Sequence, residues 1–184
     1  METVVQALSE YPVIAAVKDD TFLQAMSSPV GVVFYLSADL LTVKEKIAAA
    51  HEAGKLLLVH LDLAVGIGRD ESGLKYLKNC GVDGIISTRA NLIRMSKDLE
   101  LFTVQRFFAL DSQGVQSIDG ILENSRPAMI EIMPSAVHKV IERLCRKGNS
   151  VIAGGLIETK TDVTDALKAG AFAISTGKPE LWDI

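Results

Sequence analysis

The chain has few of the residues that mark special chemistry or a special environment. Its two cysteines, Cys80 and Cys145, have neither metal-ligand spacing nor the look of a disulfide framework. No CxxC, HExxH, complete GxGxxG or Ser/His/Asp order is present, so no metal site, dinucleotide fingerprint or catalytic triad is predicted. The longest apolar run, residues 55–67, is too short to span a bilayer and contains His60 and Asp62. These absences argue against a disulfide-rich secreted domain and against membrane insertion.

An excess of positive charge is also lacking, because 23 acidic residues outnumber 19 basic ones and give a formal net charge of −4. Wholesale nucleic-acid binding depends on neutralising many phosphates, so any RNA contact must use a local patch. The composition, 48% hydrophobic and 23% charged, is globular. No signal peptide is predicted, because Met1 is followed by Glu2 and a mixed helix. We therefore expect one cytoplasmic domain over residues 1–184.

Short apolar segments alternate with segments of helical spacing along the whole chain. The predicted strands are 13–17, 30–36, 56–63, 84–87, 101–109, 129–133, 151–153 and 171–175. This alternation predicts a small α/β barrel of the TIM type, (β/α)8, although an open doubly wound sheet would suit the same apolar runs. Residues 178–182 are too short for a full last helix. Its absence would leave Leu181 and Trp182 exposed for a partner subunit, so a homo-oligomer is a hypothesis.

Two glycine-containing turns follow the last two predicted strands. Gly154 and Gly155 end the seventh, and Ser175, Thr176 and Gly177 end the eighth. The loops after the last two strands of such a barrel often bind phosphate through backbone N–H groups, and glycine lets the backbone come close to the anion. The alternative is that glycine simply ends many strands. We predict that these five residues bind a phosphate.

Alternation of side chains along the strands predicts which polar groups point into the barrel. The inward set near the carboxyl ends is Lys18, Asp62, Glu131, Ser175 and one of Gln105 or Arg106. Charges removed from water need partners, so Lys18 is expected to pair with Asp62 or Glu131. The set forms either a polar ligand pocket or an ion network that only fixes the core. His60, also inward, is expected to be a hydrogen-bonded core histidine.

A basic face is predicted on the helix over residues 135–147. An apolar stripe lies opposite four cations at helical spacing, which are Lys139, Arg143, Arg146 and Lys147. These cations are the candidate RNA contacts, although most charged faces of this kind are only solvated. Arg89, Arg94 and Lys97 form a second, weaker candidate.

The chain resembles a known family through several blocks of sequence. They are PVIAAVK at 12–18, HLDL at 60–63, GIGRD at 66–70, DGIISTR at 83–89, QRFFALDS at 105–112, EIMP at 131–134, IAGGLI at 152–157 and STGK at 175–178. Together they resemble the glycerol-3-phosphate-responsive antiterminators, which regulate glycerol uptake operons.

The resemblance implies a cytoplasmic barrel that binds glycerol 3-phosphate as effector, without catalysis or another cofactor. It also implies action on the leader of a messenger RNA, where termination at an inverted repeat is prevented and the transcript is stabilised. Under this hypothesis the two glycine turns bind phosphate, and Asp62, Glu131 and Lys18 bind the glycerol hydroxyls. One alternative is a triose-phosphate isomerase or aldolase that uses Lys18 as a Schiff-base or acid/base lysine. Another is a binding barrel that acts only through protein partners.

Overall fold

The computed structural model describes residues 2–184 and shows a closed barrel of eight parallel strands. Each strand pairs with the next, and β8 pairs with β1 to close the barrel. The strands are β1 (Val13–Val17), β2 (Val32–Tyr35), β3 (Leu56–His60), β4 (Gly84–Ser87), β5 (Phe102–Phe108), β6 (Met129–Met133), β7 (Val151–Gly154) and β8 (Ala173–Thr176). The predicted TIM-type barrel is confirmed, and the open doubly wound sheet is wrong.

One helix precedes β1 and one follows each of the first seven strands. The helices are α1 (Glu2–Glu10), α2 (Asp19–Met26), α3 (Val43–Glu52), α4 (Glu71–Asn79), α5 (Ala90–Asp98), α6 (Ser112–Ser125), α7 (His138–Arg146) and α8 (Lys160–Lys168). After β8 there is only a 3-10 turn, Pro179–Leu181, which confirms the missing last helix. No helix of the described chain is long and apolar enough to cross a membrane.

Two hydrophobic layers stabilise the barrel. One lies between the strands and the helices, and the other fills the interior of the barrel. On β1, Val13, Ala15 and Val17 pack outward against the helix layer, whereas Ile14 faces the interior. The interior layer also contains Val4 and Leu8 of α1, both buried, so α1 closes the amino end of the barrel. Side chains of this size stabilise a fold by roughly 1.5–3 kcal/mol each when fully buried. The opposite, carboxyl end is left for polar groups.

The carboxyl-terminal tail corrects the predicted oligomer surface. Trp182 is fully buried and Leu181 is 3% exposed. The indole Nε1 of Trp182 donates to the carbonyl oxygen of Thr176 at 2.9 Å, and the Tyr11 hydroxyl donates to the Trp182 carbonyl at 3.0 Å. The prediction that these two side chains are exposed is wrong, because the tail folds back beside α2. The homo-oligomer hypothesis thereby loses the surface on which it was based.

Two boundaries differ from prediction for local reasons. Ser37 and Asp39 are the possible caps of this helix in the sequence, but α3 begins only at Val43, because Asp39 forms a β-bridge with Val65 before the helix starts. β3 ends at His60, after which residues 61–63 form a 3-10 turn. This turn places Asp62 on the rim of the barrel.

Candidate ligand site at the carboxyl end of the barrel

A cavity of about 320 Å³ opens at the carboxyl ends of the strands, mainly between β5 and β8. Its lining residues are Ala16, Leu36, Arg106, Glu131, Met133, Gly155, Leu156, Ile157, Glu158, Ser175, Thr176, Gly177 and Lys178. The size suits a small metabolite. Five of the eight predicted ligand residues line it, whereas Lys18, Asp62 and Gly154 do not.

The floor of the cavity is a buried ion pair between neighbouring strands. Arg106 of β5 and Glu131 of β6 are in register, and Nε of the arginine donates to Oε2 of the glutamate at 2.5 Å. Ser175 of β8 donates its hydroxyl to Oε1 of the same glutamate, also at 2.5 Å. The Nη groups of Arg106 make no hydrogen bond with any described residue. They are therefore free to donate to a molecule in the cavity.

Gly154 supports this floor from below the cavity. A Cβ atom at this position would lie 2.5 Å from Oε1 of Glu131 and 2.7 Å from Oγ of Ser175. Real side chains do not approach so closely, so a glycine is needed for Glu131 to reach Ser175. The predicted role of Gly154 as a direct phosphate contact stays a prediction, and the geometry gives it a packing role.

The predicted pairing of Lys18 is wrong. Lys18 lies beyond the end of β1, is exposed, and forms no salt bridge among residues 2–184. Glu131 pairs with Arg106 because inward side chains at the same level of adjacent strands lie side by side. Gln105, the alternative to Arg106, points outward and accepts a hydrogen bond from Ser125 of α6 at 2.5 Å.

The carboxylate of Asp62 is hydrogen-bonded to neighbouring residues, and Asp62 does not line the cavity. Its carboxylate accepts hydrogen bonds from the Ser87 hydroxyl at 2.8 Å, the Thr88 amide at 2.7 Å and the Thr88 hydroxyl at 2.8 Å. Burial raises the pKa of Asp62, but these hydrogen bonds outweigh burial, and the pKa lies below its usual range. Asp62 thus fastens the loop after β3 to the loop after β4.

His60 points into the barrel and is 3% exposed. Its Nδ1 has no hydrogen-bond partner among residues 2–184, so the expected hydrogen-bonded histidine is wrong. Burial, with a smaller contribution from Arg106, lowers the pKa of His60 to about 4. The imidazole is therefore neutral at pH 7.

The turn after β7 has a conformation that glycine favours. Gly155 has φ of +71° and Leu156, a non-glycine residue, has φ of +58°. The carbonyl of Gly155 accepts from the Ser135 amide at 3.1 Å, which joins this turn to the loop before α7. No hydrogen bond within the described residues uses the amide N–H of Leu156 or Gly177. Two backbone donors on opposite turns are therefore available to an anion.

Thr176 connects the two turns internally. Its hydroxyl donates to the Ile157 carbonyl at 2.9 Å and accepts from the Lys178 amide at 3.1 Å. Its side chain thus holds the turns together, leaving their amides as the contacts for a ligand. Lys178, which sequence reasoning did not single out, stands at the rim with its ammonium 3.9 Å from Glu158. The STGK block contained this lysine next to a predicted phosphate turn.

The predicted basic face lies on α7, away from the cavity. Arg143 and Lys147 both contact Oδ2 of Asp119 on α6, at 3.1 and 2.7 Å. Arg146 pairs with Glu142 within the same helix, and Lys139 forms no salt bridge with a described residue. The face therefore keeps a net positive charge, but two of its four cations also bind the neighbouring helix.

The family to which the chain belongs follows from comparison with known proteins. The model of one family, described as glycerol-3-phosphate responsive antiterminator, matches residues 13–182. The chain belongs to this family. The resemblance based on sequence blocks is thereby confirmed.

Two similar proteins match this chain over nearly their whole length. The uncharacterised protein YgcP of Escherichia coli (strain K12) is 34% identical over 180 residues, which are 96% of this chain and 94% of YgcP. The glycerol uptake operon antiterminator regulatory protein of Listeria monocytogenes has a TM-score of 0.88 at 28% identity, covering 94% of this chain and 95% of that one.

A glycerol uptake operon antiterminator-related protein of Thermotoga maritima has a TM-score of 0.84 at 34% identity, covering 92% of this chain and 96% of that one. Aldolases such as QR15, with a TM-score of 0.71 at 12% identity, share the fold alone.

Proposed function

We propose that the protein binds glycerol 3-phosphate in the cavity and, in the bound state, acts on a leader messenger RNA to prevent termination of glycerol uptake and utilisation operons. Membership of the antiterminator family supports the regulatory role. The observation that carries the ligand assignment is the cavity itself, where two turns with free amides face a buried Arg106–Glu131 pair. For this role we propose a cytoplasmic location.

The phosphate would bind between the two turns. The amides of Leu156 and Gly177 can donate to its oxygens, and the Lys178 ammonium can contribute positive charge from the rim. The glycerol hydroxyls would then lie over Arg106 and Glu131 at the floor. A co-crystal with glycerol 3-phosphate tests this arrangement, and density for the ligand outside the cavity would contradict it.

Gly155→Ala is the variant that tests the phosphate turn. The alanine would have to adopt φ of +71°, and its Cβ would lie 2.8 Å from Cε of Met133, so the turn has to move. We expect about tenfold weaker binding of glycerol 3-phosphate by calorimetry and about 1 kcal/mol of lost stability from the strained backbone.

Gly54→Ala is the matched control for this variant. Gly54 also has φ of +71°, but it follows α3 at the other end of the barrel, and no atom lies within 4 Å of the added Cβ. It should lose similar stability and keep its affinity. Equal affinity in both variants would contradict the phosphate assignment.

RNA contact by α7 is the second part of the proposal. Lys139 and Arg146 project from an exposed helix whose buried side is anchored by Ile141 and Leu144. Each phosphate contact that is lost should reduce the salt dependence of RNA binding by about one unit of slope. We expect Lys139→Ala with Arg146→Ala to flatten the slope in filter binding of leader RNA. The control, Lys75→Ala on α4, should leave the slope unchanged.

Ligand and RNA must be coupled for the protein to regulate. Glycerol 3-phosphate has to bind the RNA-competent state more tightly, and RNA must then raise the affinity for the ligand by the same factor. RNA binding that is indifferent to the ligand would contradict the sensing role. Absence of any RNA binding would favour the alternative in which the barrel acts through protein partners.

We propose that the protein acts without a catalytic step of its own. The aldolase or isomerase alternative requires Lys18 near the substrate, but Lys18 is exposed and does not line the cavity. A Schiff-base lysine normally sits in a desolvated pocket that lowers its pKa. Turnover of glycerol 3-phosphate or dihydroxyacetone phosphate, or borohydride trapping of either, would contradict this part of the proposal.

A further inference from the structure

The exposed apolar side chains of the described chain are concentrated at the carboxyl end of the barrel. Large ones with exposed fractions between 38% and 84% lie at the end of β5 and in the loops after β2, β3, β5 and β7. They are Leu40, Leu41, Leu63, Val65, Phe108, Leu110 and Leu156, which we name the apolar rim. Outside the rim, the large apolar side chains exposed among the described residues are Val5, Leu23 and Ile184. Single exposed side chains are normal, whereas a concentration of them marks an interaction surface.

The apolar rim forms two arcs on opposite sides of the mouth. In one arc the Leu40 amide donates to the Val65 carbonyl at 3.0 Å, which joins the loops after β2 and β3. Next to the other arc the Ala109 amide donates to the Met133 carbonyl at 2.7 Å, which ties the loop after β5 to the end of β6. The strands follow one another in order around the closed barrel, so β2 and β3 lie across from β6 and β7. Loops that are already fixed lose little conformational freedom when a partner covers them.

The charges of the loops around the mouth are nearly balanced, which indicates the kind of surface that fits the rim. The segments between each strand and the helix or turn after it contain four cations and five acids. The cations are Lys18, Arg69, Arg89 and Lys178, and the acids are Asp39, Asp62, Asp70, Asp111 and Glu158. A nucleic acid would need an excess of cations. A surface that carries both signs can instead be complementary to a copy of itself, as a two-fold symmetric interface requires.

The area of the apolar rim also matches what one copy contributes to a stable dimer. Its side chains together expose on the order of 400 Å² of apolar surface, if a fully exposed side chain of this size is counted as about 90 Å². A standard interface buries about 800 Å² on each partner, and a little more than half of this area is apolar. The rim therefore supplies most of the apolar part, and the charged loop residues around it supply the polar part.

We propose that the apolar rim is the contact surface of a two-fold dimer, in which the carboxyl mouths of two copies of this chain face each other. Leu156 belongs to the rim and also lines the cavity. The second copy therefore covers the opening of the cavity, and its loops complete the enclosure of the ligand site. This inference goes beyond the proposed function, because neither ligand sensing nor RNA contact by α7 requires a dimer. The surface is also separate from the carboxyl-terminal tail, where Trp182 is buried.

Sedimentation velocity of the full-length protein over a range of concentrations tests the dimer. We expect wild-type protein to have the mass of two chains. The double variant Leu41→Glu with Leu110→Glu places one charge in each arc, and the two-fold symmetry brings each charge into the interface twice. Burial of unpaired charges is unfavourable, so the dissociation constant of the dimer should rise by about a hundredfold or more.

Val5→Glu is the matched control for the double variant. It introduces the same side chain at an exposed apolar position of α1, which closes the amino end of the barrel. Its dimer should dissociate like that of wild type. A monomeric wild type at every concentration would overturn the inference, as would a dimer that the double variant leaves intact or that the control weakens equally. If circular dichroism shows that the double variant does not fold, Leu41→Glu alone, at a position that is 84% exposed, takes its place.

Filter binding of leader RNA identifies the occupant of the rim if wild-type protein is monomeric. Loss of RNA affinity in the double variant would then show that RNA covers the rim, and unchanged affinity would point to a different protein. Either result would overturn the dimer. Calorimetry of wild type with glycerol 3-phosphate separates this failure from a failure of the proposed function, because a monomer that binds the ligand leaves that function standing.

Discussion

Asp62, which is partly exposed, and Glu131, which is fully buried, are both acids at the carboxyl end of the barrel, yet they have opposite surroundings. Asp62 is surrounded by donors from its own neighbourhood, two of them on Thr88 and one on Ser87. Glu131 has two partners, Arg106 and Ser175, which themselves line the cavity. The first acid is satisfied by the protein, whereas the second belongs to a polar group that is open to a ligand.

This difference divides the mouth of the barrel into two halves. The half formed by β3 and β4 is closed, because the loop after β3 is fastened to Thr88 by Asp62. The half formed by β5 to β8 holds the cavity and both glycine turns. The position of a charged side chain inside a barrel therefore does not show whether it binds a ligand. The supply of donors from adjacent loops decides that.

The largest expected effect comes from removing the cation of the open half. Arg106→Met leaves Glu131 as a buried charge without its partner, which usually costs about 3–5 kcal/mol. Ligand binding should also be abolished. Urea unfolding and calorimetry measure the two losses.

Arg89→Met is the matching change in the closed half. The Arg89 side chain is half exposed and lies 3.8 Å from Asp62, so the stability lost should be under about 1 kcal/mol. Similar losses in Arg106→Met and Arg89→Met would contradict the division of the mouth.

A second test exchanges the acid of the closed half. In Asp62→Asn an amide group replaces one oxygen and faces the donors of Thr88 or Ser87, so stability should fall by about 2 kcal/mol. Affinity for glycerol 3-phosphate should stay within about twofold of wild type, because the cavity is untouched. A large loss of affinity with little loss of stability would show that Asp62 contacts the ligand after all.

The pH dependence of stability tests His60, the buried histidine at the end of β3. The pKa of His60 is about 4 in the folded protein and ordinarily 6.5, so the unfolded chain takes up a proton first as the pH falls. His60 therefore contributes stability above pH 6.5 that is lost on acidification towards pH 4. Between pH 7 and pH 5 the loss amounts to about 2 kcal/mol.

The measurement is urea unfolding at both pH values for wild type and His60→Gln. Glutamine does not titrate, so the variant should lose about 2 kcal/mol less than wild type over this interval. Equal losses in the two proteins would show that His60 is not held neutral in the folded state.

The sequence predicted the fold and much of the site because both depend on local patterns. The alternation of side chains along the strands correctly predicted that Glu131 and Ser175 point into the barrel. Glycine residues correctly indicated the turns at the ends of β7 and β8. The partners of these groups depend on which strands are adjacent and at what level. Lys18 was expected to pair with an acid, whereas the register of β5 with β6 gives that place to Arg106.

Contacts between distant segments were beyond the reach of local patterns. The donors of Asp62 come from a loop about 25 residues later in the chain. The burial of Trp182 depends on the tail folding back to Thr176, which no periodicity encodes. Both Asp62 and Trp182 have surroundings that are assembled by the closed barrel rather than by their own segment.

The smallest expected effect compares one serine in each half. Ser87 donates to Asp62 at 2.8 Å and Ser175 donates to Glu131 at 2.5 Å, so each alanine variant removes one hydrogen bond to a carboxylate at the barrel mouth. Both should lose about 1 kcal/mol of stability in urea unfolding. Ser175→Ala should also weaken glycerol 3-phosphate severalfold, because Ser175 lines the cavity and fixes the orientation of Glu131, whereas Ser87→Ala should bind like wild type. Equal affinities would mean that the carboxylate of the open half is held in place without its serine, and that Arg106 alone orients it.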